Sequence, residues 1–184
     1  MTDPMKIKVT KQKCTVLKNC KGVIQSDKYI VGLTGRRAQV VRKSDMTLVG
    51  VIDGLSYVYR GDISPDEKTL LLASTDRYGY LYSLPDLTPM SRARIRDNKS
   101  GEVLEGLGCF SHDGSKVYFA VPLDNSLSEV REYDPITFGF KRVVHELDGM
   151  VIREIQRLKN GIFLSGFCRG DEPYDIAVLY ENGS

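Results

Sequence analysis

A short polar turn leading into an apolar run recurs four times along this 184-residue chain. Ser64-Pro65-Asp66-Glu67-Lys68 leads into residues 69–73, and Ser111-His112-Asp113-Gly114-Ser115-Lys116 leads into 117–121, the two serines 47 residues apart. Ser26-Asp27-Lys28 precedes residues 29–33 in the same way, and Lys159-Asn160-Gly161 precedes Ile162-Phe163-Leu164. A second turn follows in each unit: Ser44-Asp45-Met46-Thr47, then Pro85-Asp86-Leu87-Thr88, then Asp134-Pro135-Ile136-Thr137, with threonines 41 and 49 residues apart. In the fourth unit Glu181-Asn182-Gly183-Ser184 takes that place.

Between the turns, apolar and polar residues alternate with period two and are rich in β-branched and aromatic types, which reads as strands. A unit of roughly 40–50 residues with four such strands is a small twisted sheet that cannot cover both its faces. It becomes stable by stacking against copies of itself around an axis. The continuous apolar runs 69–73 and 162–164 then belong to strands covered on both faces. Residues 150–159 fit a helix face as well as a strand, and their place in the repeat assigns them to a strand.

The segments Ser-Pro-Asp-Glu-Lys-Thr-Leu-Leu-Leu-Ala (64–73) and Ser-His-Asp-Gly-Ser-Lys-Val-Tyr-Phe-Ala (111–120) resemble the first turn and second strand of WD40-like and related β-propeller repeats. Leu-Tyr-Ser-Leu-Pro-Asp-Leu-Thr (81–88) and Glu-Tyr-Asp-Pro-Ile-Thr (132–137) resemble the third strand and the turn after it. The chain has no Trp, so the Trp-Asp pair of true WD40 repeats is missing. The resemblance implies one all-β domain over 1–184, a propeller of about four blades of four antiparallel strands, with repeats roughly 21–54, 55–98, 99–148 and 149–184. Residues 1–20 form an N-terminal segment whose strand Met5–Thr10 can fill the vacancy left in the fourth unit. Two arrangements stay open: a ring closed within one chain, or an open half-ring completed by association with a second copy or another polypeptide.

Hydrophobic residues make up 41% and charged residues 27%, as in ordinary globular proteins. Residues 1–96 carry 17 Lys/Arg against 9 Asp/Glu, and residues 97–184 carry 9 against 15. That division suits an acidic partner surface or a head-to-tail contact. A net charge of +2 without interleaved aromatics argues against nucleic acid. No apolar run is long enough to span a membrane or serve as a signal peptide, so the expected location is cytoplasmic.

The catalytic inventory is sparse. His112 and His145 are the only histidines, one in a turn motif and one on a strand, and neither sits in a nucleophile–base pattern. No catalytic residue, metal site or cofactor is expected. Cys14 and Cys20 are spaced outside the usual zinc patterns, with a disulfide between them reserved for an oxidising compartment. Cys109 and Cys168 read as buried thiols, and Asp171-Glu172-Pro173-Tyr174-Asp175 as a solvated hairpin tip. Arg92, Arg94 and Arg96 alternate with apolar residues along an outermost strand, and Arg36 and Arg37 occupy a turn of the first unit. Together they suggest a basic rim. Tyr78, Tyr80 and Tyr82 share one strand face, as do Tyr57 and Tyr59. Around the axis the candidates are Arg60, Asp62, Arg153 and Glu154. The expected function is a non-catalytic protein-interaction or scaffold module. The alternatives are a small-ligand or enzymatic propeller working through its central channel, or one part of a larger propeller.

Overall fold

The computed structural model describes residues 16–96, 107–123, 127–168 and 175–180. All regular elements among them are strands, grouped into four antiparallel sheets that follow one another along the chain. Blade 1 contains β1 (Gly22–Gln25), β2 (Tyr29–Leu33), β3 (Ala38–Arg42) and β4 (Thr47–Ile52). Blade 2 contains β5 (Val58–Ile63), β6 (Thr69–Ser74), β7 (Tyr78–Ser83) and β8 (Pro89–Arg94). Blade 3 contains β9 (Leu107–Phe110), β10 (Val117–Pro122), β11 (Leu127–Tyr133) and β12 (Phe140–Asp148). Blade 4 contains β13 (Met150–Leu158), β14 (Gly161–Cys168) and β15 (Asp175–Tyr180). Each sheet is a meander in chain order, the arrangement of a four-bladed β-propeller with β1, β5, β9 and β13 innermost. The proposed closing strand Met5–Thr10 lies outside the described residues.

The repeated turns explain the sheet spacing. Ser64 Oγ donates to Asp66 Oδ1 at 2.6 Å and accepts the Thr69 N–H at 2.9 Å. Ser111 Oγ donates to Asp113 Oδ1 at 2.7 Å and accepts the Lys116 N–H at 2.9 Å, the same network 47 residues later. Each serine closes its hairpin backbone, and each aspartate caps the turn. In the second set of turns, Met46, Leu87 and Phe138 hold positive φ at equivalent places. Thr47 and Thr88 therefore correspond to Gly139, not to Thr137 as the threonine spacing suggests. The turns are of equal length: Asp134 takes the place of Ser83, bonding backbone to Gly139 as Ser83 does to Thr88, and its side chain accepts the Ile136 and Thr137 N–H groups.

Burial runs between blades rather than within them. Leu70 and Leu72 of β6 pack towards blade 1, while Leu71 and Ala73 pack towards blade 3. Val117, Phe119 and Val121 of β10 face blade 2, while Tyr118 and Ala120 face blade 4. This is why β6 and β10 have no polar face. Ile162 and Leu164 of β14 are buried against blade 3. Residues 150–158 form a strand, as their place in the repeat requires, with a bulge between Ile152 and Glu154.

Candidate functional sites: a basic edge and a polar channel

Strand β8 is the outer edge of blade 2, paired with β7 so that Arg94 lies opposite Tyr78 and Arg92 opposite Tyr80. The Arg92 guanidinium carbon sits 5.3 Å from the Tyr78 ring centroid, a cation–π contact. Arg92 and Arg94 are exposed. Arg96 is not: β8 ends at Arg94, the Ile95 N–H turns in to the Arg77 carbonyl, and Arg96 is only 8% exposed. Burial and the neighbouring Arg77 cation both pull its pKa down. The anticipated stripe of three arginines is thus a stripe of two, because strand alternation stops before the third.

The tyrosines divide in a similar way. Tyr80 and Tyr82 pack against the core between blades 1 and 2. The Tyr80 hydroxyl donates to Asp76 Oδ2 at 2.6 Å, and burial together with that carboxylate pushes its pKa up. Tyr78, half-buried, stacks under Arg92 at the margin. Tyr57 is 53% exposed, with φ at 50°, and Tyr59 contacts Lys21 and Gly35. Arg36 and Arg37 are exposed in the β2–β3 turn, where Arg37 pairs with Asp53 at 2.5 Å. Strand alternation puts this turn at the end of the propeller where β8 finishes, so both arginine groups border the seam between blades 1 and 2.

A second site lies on the axis. A cavity of about 300 Å³ is lined from all four inner strands: Val23 and Gln25 of β1, Arg60 of β5, Leu107 of β9, and Glu154 and Gln156 of β13 among others. Arg60 and Glu154 were anticipated here, and they occupy walls of one cavity. Gln156 donates to Glu154 Oε1 at 2.6 Å, and the Ser165 hydroxyl donates to Oε2 at 3.4 Å. Arg153 sits in the β13 bulge and outside the cavity lining.

Asp62 forms a rung beside this cavity. Its Oδ2 accepts the Phe110 N–H of blade 3 at 2.9 Å, and its Oδ1 accepts the Ile63 N–H at 2.8 Å. Arg157 of blade 4 approaches Oδ2 at 3.6 Å and donates to the Ile63 carbonyl at 3.2 Å. One carboxylate therefore joins three blades. Burial pushes its pKa above the usual range, against the Arg157 cation and the Phe110 and Ile63 N–H donors. Sequence reasoning missed Gln25, Gln156 and Arg157. Their only signal is alternation along β1 and β13, which the β13 bulge shifts by one residue.

The remaining candidates stand apart. His112 is an exposed turn residue and His145 an exposed residue of β12. Cys109 is 2% exposed in the core of blades 3 and 4, and the half-buried Cys20 donates to the Lys18 carbonyl at 3.7 Å. Cys14, Asp171, Glu172, Pro173 and Tyr174 lie outside the described residues, and nothing is said of the Cys168 side chain. Among the described residues no group of three His, Cys, Asp or Glu side chains comes together, and no helix is long and apolar enough to cross a membrane.

Comparison with solved structures places the chain in the class that its sheets define. It is similar to the crystal structure of the computationally designed Ika4 protein at a TM-score of 0.61 and 13% identity, covering 92% of this chain and 99% of that one. At that identity the likeness is one of fold. No protein-family model matches the chain, and no curated protein matches it in sequence.

Proposed function

We propose that the protein is a non-catalytic interaction module that holds an acidic segment of a partner protein along the outer margin of blades 1 and 2. The observation carrying this reading is the edge strand β8, which presents exposed Arg92 and Arg94 with Tyr78 stacked beneath Arg92. An arginine flanked by an aromatic ring offers both a charge-assisted hydrogen bond and apolar contact, the combination enriched at protein interfaces. Arg36 and Arg37 extend the positive margin onto blade 1. The edge itself is guarded against indiscriminate strand pairing: β8 begins with Pro89 and carries a bulge opposite Leu81 and Tyr82. Recognition then runs through side chains rather than through strand addition.

The test is fluorescence anisotropy with a labelled Glu-rich peptide and a Lys-rich control. Saturable binding of the acidic peptide, weakened by salt, is expected. The paired reversal Arg92→Glu with Arg94→Glu should abolish it, and Tyr78→Ala should weaken it several-fold through loss of the ring contact. Equal binding of both peptides, or an unchanged affinity after charge reversal, removes this reading.

A further inference from the structure

We propose that Tyr57 is the anchor of the partner site, its ring taking one bulky apolar side chain carried by the acidic segment along blades 1 and 2. The anchor rests on that acidic-segment reading and adds the kind of side chain the partner must carry. Tyr57 sits in the link between β4 and β5, its backbone in the left-handed region at φ 50° and its ring 53% exposed. A bulky residue is strained there, and glycine is not. The step into the inner strand of blade 4 is made by a glycine: Gly149, at φ 76°, immediately precedes β13. Blade 2 makes the same step with a tyrosine. A ring more than half exposed recovers little of the strain through burial, so packing alone does not account for it.

The link is held rigid from both sides. The Val58 N–H donates to the Gly35 carbonyl at 2.8 Å and the Leu55 N–H to the Arg36 carbonyl at 3.1 Å, which zips the link onto the β2–β3 turn of blade 1. The Ser74 hydroxyl donates to the Ser56 carbonyl, and the Thr75 hydroxyl reaches the same oxygen at 3.5 Å, which ties the link to the β6–β7 turn of blade 2. Leu55 and Val58, flanking Ser56 and Tyr57, are buried. The ring therefore stands on a fixed backbone and gives up little conformational freedom on binding.

The surroundings set the chemistry of what the ring receives. Arg36 is exposed in the turn to which the link is zipped, and Tyr78, under Arg92, begins β7 three residues after Thr75. The adjacent carboxylates of Asp53 and Asp76 are engaged by Arg37 and by the Tyr80 hydroxyl. Arginines on both sides of the link favour carboxylates next to the apolar side chain and disfavour a basic segment. Tyrosine and arginine are also the residue types that carry most of the binding energy at interfaces. An aromatic side chain suits the ring best, because it adds an edge or offset contact.

Fluorescence anisotropy of the full chain tests the anchor, with labelled Glu-rich peptides each carrying one Phe at a successive position. One Phe position should bind at least about tenfold tighter than the all-Glu peptide. Tyr57→Gly and Tyr57→Ala should each return that peptide to the all-Glu affinity. Thermal unfolding separates this from damage to the fold: Tyr57→Gly should raise the midpoint by about 2–4 °C as the strain is relieved. Binding lost while stability is gained cannot come from a misfolded variant. A midpoint lowered by Tyr57→Gly would show that the ring supports the fold, and would overturn the anchor. A Phe gain that survives both substitutions, or no gain at any position, also overturns it. The all-Glu peptide with the Arg92→Glu and Arg94→Glu reversal reads the basic margin separately, so failure of the margin is told apart from failure of Tyr57.

Discussion

Asp113 shows how much one side chain contributes to a repeat. The Ser111 hydroxyl, the Ser115 N–H and the Ser115 hydroxyl all donate to its Oδ1. These donors favour the ionised form and hold its pKa down at about 2, from an ordinary 3.8. A depressed carboxylate stabilises the fold above its unfolded pKa and loses that contribution as the pH falls through its folded pKa. Urea unfolding of the parent protein should therefore weaken between about pH 4 and pH 2, and Asp113→Asn should flatten that decline. Asp66, lowered by the Ser64 hydroxyl and the Lys68 N–H in the matching turn, should respond in the same direction. An identical acid slope in parent and variant would contradict the assignment.

Gly79 is a residue whose importance no turn rule reveals. It divides Tyr78 from Tyr80 on β7, and a Cβ there would lie 2.5 Å from Cζ of Phe119 and 3.0 Å from Cζ of Phe138. Those rings belong to blade 3 and form an aromatic cluster with Tyr133, whose centroid is 5.3 Å from that of Phe119. The glycine thus lets one blade approach the next. Gly79→Ala should cost about 1–3 kcal/mol by overpacking, measured by chemical denaturation. A neutral effect would show that the rings move aside freely.

At the scale of elements, the middle strands are the parts most legible in sequence. β6 and β10 read as apolar on successive positions because neighbouring blades cover both faces. Leu71 and Leu72 are both fully buried, yet they belong to different inter-blade cores. Replacing either with Ala should cost about 2–5 kcal/mol. Because the two cores share β6, the double variant should depart from additivity. A sum of the single effects within error would mean that the blades behave as independent layers. The first-turn motif was legible for a related reason, since its Ser and Asp bond within a few residues of each other. The second turn was legible only in part. Its threonines repeat, but Thr137 lies two positions before the equivalent of Thr47 and Thr88, and the positive-φ residue is Phe138, which no local rule selects. β8 likewise reads as an alternating strand through Arg96, whereas the chain leaves the sheet after Arg94.

The whole molecule depends on contacts between distant inner strands. The Asp62 rung links blades 2, 3 and 4 through Phe110 and Arg157, which lie 48 and 95 positions further along the chain. Asp62 has a raised pKa, so the stability it contributes is full below its unfolded pKa and is lost as the pH rises through its folded value. Arg157 limits that loss. Arg157→Met should cost about 1–2 kcal/mol near neutral pH and markedly less at an acid pH below the raised carboxyl pKa, where Asp62 is protonated. Adding Asp62→Asn to that variant should remove the pH dependence. Equal destabilisation by Arg157→Met at both pH values would show that the cation acts by packing alone.

The sequence determined the strand content, the unit length and the hairpin chemistry, because each rests on side chains bonding or alternating within a few residues of one another. It also marked the strands that need neighbours on both faces. Tertiary structure alone decided which arginines reach solvent, where the β13 bulge turns its side chains, and that Asp62 meets Arg157 over the axis. Those outcomes follow from how four twisted sheets converge, and convergence brings together residues whose separation along the chain carries no local signal.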